Sequence, residues 1–159
     1  MGVSGAGKST IGQLLAKKMN WIFVEGDDFH SSANKHKMTA GASLDDADRK
    51  NWLYKLVSVC TTSTKPMVIS CSALKKSYRE ILSSHKNRTI FIHLSGAKEV
   101  LESRLHKRKN HFFNPILLVD QLNTLEPLST DECGFKINFN RGTNLVVAEI
   151  ISRLNDWKI

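Results

Sequence analysis

Cysteine is scarce in this 159-residue chain. Cys60, Cys71 and Cys133 are odd in number, and no two stand in Cys-x-x-Cys spacing. That excludes a disulfide scaffold and a zinc-finger ligand set, and it is the usage of a protein kept reduced in the cytosol. No apolar run approaches the ~18 residues of a membrane span. The chain opens on a Gly-rich polar turn, not on a signal peptide. Ala6 stands where a myristoylation signal needs Ser or Thr. These absences predict a cytoplasmic protein with no membrane partner. Prolines number only three, and there is no internal repeat, low-complexity tract or linker, so the length fits a single domain. Acids are outnumbered, 15 Asp and Glu against 23 Lys and Arg, for a net charge of +8. The excess is local, since residues 75–109 hold ten basic and three acidic side chains. Such a field attracts an anion. The stretch lacks the repeated aromatics of a single-strand platform and any helix-turn-helix or RRM pattern. A multiply charged small molecule therefore fits better than nucleic acid.

What is present alternates. Short apolar, β-rich runs at 21–24, 67–70, 89–94 and 135–139 are separated by helical stretches, which predicts an α/β fold with a parallel sheet. Ile11, Leu14, Leu15 and Met19 mark one helix face, and Trp52, Leu56, Val59 and Cys60 another. Val147, Ile150, Ile151, Leu154 and Trp157 mark the last. Asp45, Asp46 and Asp48 ahead of Arg49 read as an acidic helix start. Pro115 opens a short helix through Leu122.

The stretch Gly2-Val3-Ser4-Gly5-Ala6-Gly7-Lys8-Ser9-Thr10 matches the phosphate-binding loop Gly-x-x-x-x-Gly-Lys-Ser in full. Glycines let the backbone curl so that its N–H groups face phosphate oxygens. Lys8 reaches the β- and γ-phosphates, Ser9 offers a hydroxyl to Mg²⁺, and the helix that follows turns its positive end to the anion. A buried strand normally precedes this loop. Here the loop begins at residue 2, so the expectation is a truncated first strand. The guanine-reading Asn-Lys-x-Asp is missing, because Asn34-Lys35-His36-Lys37 fails it. Asp131-Glu132-Cys133-Gly134 imitates a switch motif but lies far too late in the chain.

Asp27 follows the second predicted strand, where ligands bind in open α/β sheets. It is the candidate to take the proton of an attacking hydroxyl and to hold a metal's water shell, with a plain helix N-cap as the alternative. Asp28 is the weaker candidate of the pair.

Here the chain resembles the gluconate kinase (gluconokinase) family. The resemblance is carried by the phosphate loop and by Gly26-Asp27-Asp28-Phe29-His30, running on through Asn34, Asp46, Arg49 and Trp52. Further blocks are Cys71-Ser72-Ala73-Leu74-Lys75-Lys76 with Tyr78 and Arg79, then Leu94 to Gly96, Arg104, Arg108, His111, Phe112, Gln121 and Thr124 to Pro127. It implies a P-loop NTPase three-layer αβα sandwich, with a substrate-binding helical segment at about 28–64 and a small helical lid at about 105–127. It implies phosphorylation of D-gluconate at its 6-hydroxyl by ATP and Mg²⁺, and a homodimer. By resemblance His30, Arg49, Lys75 and Arg79 line the gluconate pocket, and Arg104 and Arg108 face the nucleotide. Arg108 would meet charge on the transferred phosphoryl group, and His111 sits at the lid tip. Ser31, Ser43 and Asn51 stand where the family usually has proline, so freer loops are expected there. Two alternatives stay open: a related kinase acting on shikimate or another polyol acid, and a non-catalytic nucleotide- or nucleic-acid-binding protein using the basic stretch.

Overall fold

The structure, a computed structural model, describes residues 1–107 and 115–157. Helix α1 (Lys8–Met19) starts at Gly7 and stops at Asn20, both in the left-handed conformation with φ 88° and 56°. Asn20 ends it as a left-handed cap does, with Lys17 and Lys18 in the last turn toward the negative pole. Helix α2 (Ser32–Thr39) is short. Helix α3 (Asp46–Thr62) begins with a reciprocal capping box between Asp45 and Asp48, which is what the acidic start encodes. Helices α4 (Lys76–Leu82), α5 (Lys98–Lys107), α6 (Pro115–Thr124) and α7 (Thr143–Asp156) follow. Pro115 does open α6, and the Thr124 hydroxyl, donating to Asp120 O at 2.7 Å, closes its last turn two residues beyond Leu122.

Strand β1 (Ile22–Glu25) pairs in parallel with β2 (Met67–Ser70), which sets Glu25 opposite Ser70. Strand β3 (Phe91–Ser95) pairs in parallel with β4 (Gly134–Asn138). Met1 and Gly2 lie between the two pairs. The Gly2 N–H donates to Ser72 O at 3.1 Å, and Met1 O accepts from the Leu94 N–H at 3.0 Å. Met1 and Gly2 thus link the two strand pairs at the position that leads into the phosphate loop.

Alternation along β3 separates two buried faces. Ile92 and Leu94 join Val3, Ala6, Ile11, Leu15, Ile137, Val147, Ile150 and Leu154 under α1 and α7. Phe91 joins Trp52, Leu53, Leu56, Cys71, Tyr78 and Leu82 under α3 and α4. Helices therefore cover both faces of the strands, giving the three-layer αβα architecture. Leu53 is fully buried, whereas the predicted face residues Val59 and Cys60 are only half-buried. The buried stripe of α3 is confined to its first three turns.

His93 is buried in β3, and burial lowers its imidazole from 6.5 to about 4. The unfolded chain takes up that proton near its ordinary pH while the folded chain refuses it until about 4. Folding stability therefore falls as pH drops through this window. Urea melts between pH 7 and 4 should show a steeper loss for the wild type than for His93→Gln. Parallel pH profiles for the two would clear His93 of any part in acid sensitivity.

Candidate active site

The site lies beyond the carboxyl ends of β1 and β2. Gly5 and Gly7 hold φ at 82° and 88°, a region that residues with a Cβ rarely adopt. Val3 and Ala6 are buried beneath the loop, so its curl is fixed from below. No side chain caps α1 and no acid sits in its first turn. Its positive pole is therefore left to a ligand, and an anion suits it. Lys8 folds back along the loop, with Nζ 3.0 Å from Val3 O. The Ser4 N–H donates to Oε1 of Gln121 on α6 at 2.7 Å, tying the loop to the helix beyond it. Thr10 is exposed on the first turn of α1.

Ser9 Oγ is 3.5 Å from Ser70 Oγ at the end of β2. Glu25 pairs with Ser70, and Gly26 turns the chain away immediately afterwards. A Cβ on Gly26 would stand 2.3 Å from Ser70 O, so glycine alone allows β1 to turn this close to β2. The Trp52 indole N–H donates to Gly26 O at 2.7 Å and holds the turn from α3. Asp27 sits on that turn with 72% of its side chain exposed, and Oδ1 is 3.9 Å from His30 Nε2. His30 is buried and stacks on Trp52, centroids 4.2 Å apart. Burial lowers its pKa, with Asp27 opposing. Its Nδ1 has no hydrogen-bond partner among the described residues.

Arg104 reaches the outer wall of the loop. Its guanidinium donates to Gly5 O at 3.4 Å and Phe139 O at 3.2 Å and lies 4.7 Å over the Phe139 ring. The other two lid candidates, Arg108 and His111, fall outside the described residues, as does Phe112.

Lys75 and Arg49 do come together. With Leu44, Asp45, Asp46, Ala47 and Thr124 they line a cavity of about 490 Å³. Lys75 Nζ lies 2.7 and 2.9 Å from the two Asp46 oxygens. The buried Tyr78 donates its hydroxyl to Asp46 Oδ1. Arg49 Nη1 donates to Leu44 O and lies 3.5 Å from the Tyr78 hydroxyl. Lys75 and Tyr78 hold the Asp46 carboxyl below the usual carboxylate range, and Asp46 raises the Lys75 ammonium in return. In the sequence Asp46 stands out as part of a helix start and, with Tyr78, among the residues of the family resemblance, but neither is marked there as a site residue. The i, i+3 spacing of Lys75 and Tyr78 across the start of α4 was the available signal.

Arg79 is not a pocket residue. It is 1% exposed, and all five of its N–H donors are engaged within the protein. Nε and Nη2 grip the Glu132 carboxylate at 2.5 and 2.9 Å. Nη1 donates to the carbonyls of Ala73, Leu74 and Glu126, and Nη2 also to Pro127 O. It clamps the 71–75 loop to the 126–132 segment. Resemblance alone could not separate a buried arginine from a lining one.

Two of the three serine and asparagine positions expected to loosen loops have found partners. Ser31 caps α2 by accepting from the Asn34 N–H at 3.1 Å. Ser43 Oγ donates to Asp120 Oδ2 at 2.6 Å and links the segment before α3 to α6. Proline could make neither bond.

For a metal, the described residues contain no group of three His, Cys, Asp or Glu side chains placed to share an ion. The oxygens on offer are Ser9 Oγ and the exposed Asp27 carboxylate. That suits Mg²⁺, which keeps waters and leans on substrate phosphates. No helix among the described residues is long and apolar enough to cross a membrane.

Comparison with known proteins places this geometry. A family profile described as shikimate kinase matches residues 4–141. The thermoresistant gluconokinase of Escherichia coli K12 is 42% identical over 162 residues, spanning 99% of this chain and 93% of that protein. A crystal structure of a sugar kinase from Janibacter sp. HTCC2649 superposes with a TM-score of 0.93 at 37% identity, covering 98% of this chain and 91% of that one. A gluconokinase structure from Sinorhizobium meliloti 1021 gives 0.88 at 36% identity, covering 99% and 90%.

Proposed function

Because the chain belongs to the gluconokinase family, on the shikimate kinase-like P-loop fold, we infer that it transfers the γ-phosphoryl group of ATP to gluconate. The acceptor is the 6-hydroxyl, and the products are 6-phosphogluconate and ADP. One observation carries the reading. The uncapped start of α1 meets the end of β2, with Ser9 Oγ 3.5 Å from Ser70 Oγ, and the segment that leaves this strand carries Lys75 to the cavity it lines with Arg49. An anion cradle, and beside it a pocket that presents a lysine and an arginine, are what a phosphoryl donor and a carboxylate-bearing acceptor require.

The amides of residues 5–10 and Lys8 hold the triphosphate, and Arg104 lines the same side. Ser9 and Asp27 would hold Mg²⁺ or its waters, and the ion when bound offsets charge on the phosphates. Asp27 points the acceptor hydroxyl in line and takes its proton. Arg49 and Lys75 take the gluconate carboxylate, for which a planar guanidinium is a natural partner. His30 packs behind Asp27 and limits how far that carboxylate can swing. Arg108 and His111 belong to the proposed lid at 105–127, which brings charge to the phosphoryl group and excludes water. The helices in 28–64 form the acceptor side. Positioning and preorganised charge supply most of the rate.

Coupled ADP release should be measured with gluconate, other sugar acids, shikimate and nucleoside monophosphates as acceptors. Gluconate should support the highest kcat/KM. A clear preference for another acceptor, or no gluconate-dependent turnover, would overturn the assignment.

A further inference from the structure

The Asp46 carboxylate fills a site with more donors than a helix-start acid needs. Lys75 offers its ammonium to both oxygens, at 2.7 and 2.9 Å, and the Tyr78 hydroxyl donates to one of them. The Arg49 guanidinium stands beside that hydroxyl, Nη1 at 3.5 Å. The Tyr78 ring is buried, so its hydroxyl is held in place, and Lys75 and Arg49 both lie over the ring, at 5.5 and 5.7 Å from its centroid. Fixed donors converging on one planar anion, at the wall of a cavity of about 490 Å³, make a carboxylate-binding site.

Asp46 is the acid free to leave it. Asp45 and Asp48 cap α3 reciprocally, and Asp48 also holds Lys37 at 2.6 Å. Asp46 caps nothing, 65% of its side chain is exposed, and it lies in the first turn of α3. Swung outward, it stays hydrated and still near the positive helix pole. Its departure releases Lys75 and Tyr78 toward the cavity.

We propose that Asp46 is a built-in stand-in for the acceptor's carboxylate, occupying the Lys75–Tyr78 site in the empty pocket and giving way when a sugar acid enters. This rests on the sugar-acid reading above and adds a specificity rule to it. A neutral polyol has no anion to exchange for Asp46 and leaves the ion pair closed. A carboxylate replaces Asp46 like for like. The cost to the true substrate is the fraction of time the site is self-occupied. Occupancy of about 70–90% weakens apparent binding roughly three- to tenfold.

Asp46→Asn keeps the shape and removes the charge, and Asp46→Ser is a second variant with a good helix-start residue. Gluconate binding by calorimetry without nucleotide, and KM in the coupled assay, should both tighten about three- to tenfold in each variant. Sorbitol, which has a hydroxymethyl group in place of the carboxylate, should bind no better than to the wild type. Weaker gluconate binding would mean that Asp46 holds the acceptor directly, and unchanged binding that the pair only trims the helix end. Equal gains for gluconate and sorbitol would mean that Asp46 merely takes up space. Each of these overturns the proposal. If the acceptor panel selects another sugar acid, the same comparison is run with that acid and its alditol, so a wrong acceptor and a wrong role for Asp46 give different results.

Discussion

Asp27→Asn should lower kcat by about 10²- to 10⁴-fold, the usual worth of a positioned proton acceptor, and leave the fold as it is. The structure separates the two effects. The turn that carries Asp27 is held by other groups: Gly26 against Ser70, and the Trp52 indole on Gly26 O. The Asp27 carboxylate is 72% exposed, and its nearest ionisable neighbour, His30 Nε2, is 3.9 Å away, so little packing is lost with its charge. Asparagine can still accept a hydrogen bond from the acceptor hydroxyl but cannot take its proton. The loss should therefore fall mainly on kcat, with gluconate KM changed much less. A urea midpoint within error of the wild type, measured beside the kinetics, removes misfolding as the cause. A variant working within threefold of the wild-type rate would take Asp27 out of the chemistry.

The parts of this site that could be read from the sequence are those whose geometry is local. The phosphate loop is nine consecutive residues, and its turn is set by glycines within it. The acidic start of α3 is likewise a capping box closed within four residues. Lys75 and Arg49 were legible as charges, but not the pairing of Lys75 with Asp46, because that contact spans 29 residues in sequence. Arg79 was misread for the same reason. Its partner Glu132 is 53 residues away, in a stretch that looked like a misplaced switch motif. Nothing in an arginine's neighbours along the chain tells whether its guanidinium faces a ligand or a buried carboxylate. Ser31 and Ser43 carry the lesson in reverse. The loss of proline rigidity was visible, while the Asn34 and Asp120 bonds that replace it depend on how the segments pack.

Removing the Arg79 side chain should be the most damaging single change to stability. Arg79→Ala leaves Glu132, only 9% exposed, without its cation, and orphans carbonyls on both segments that it joins. Breaking a buried pair from one side costs about 3–5 kcal/mol, a large share of the roughly 5–15 kcal/mol that holds a domain together. At about 2–4 °C per kcal/mol for a chain of this size, the melting temperature should fall by roughly 6–20 °C. Arg79→Lys should recover little, since one ammonium cannot replace a five-donor fork gripping a carboxylate and four carbonyls. Replacing both partners, Arg79→Met with Glu132→Leu, should recover part of the loss, because no unpaired charge then stays buried. The sign with pH is fixed by Glu132, whose carboxyl Arg79 holds at about 2 against an ordinary 4.5. The clamp is at full strength above 4.5 and is lost as pH falls toward 2. Wild type and Arg79→Lys should therefore converge in stability on acidification. A lysine variant melting within a few degrees of the wild type at neutral pH would show that the two segments are held by something other than this clamp. The 71–75 loop carries Lys75 to the cavity proposed for the acceptor, so on that proposal the stability loss should come with weaker gluconate binding.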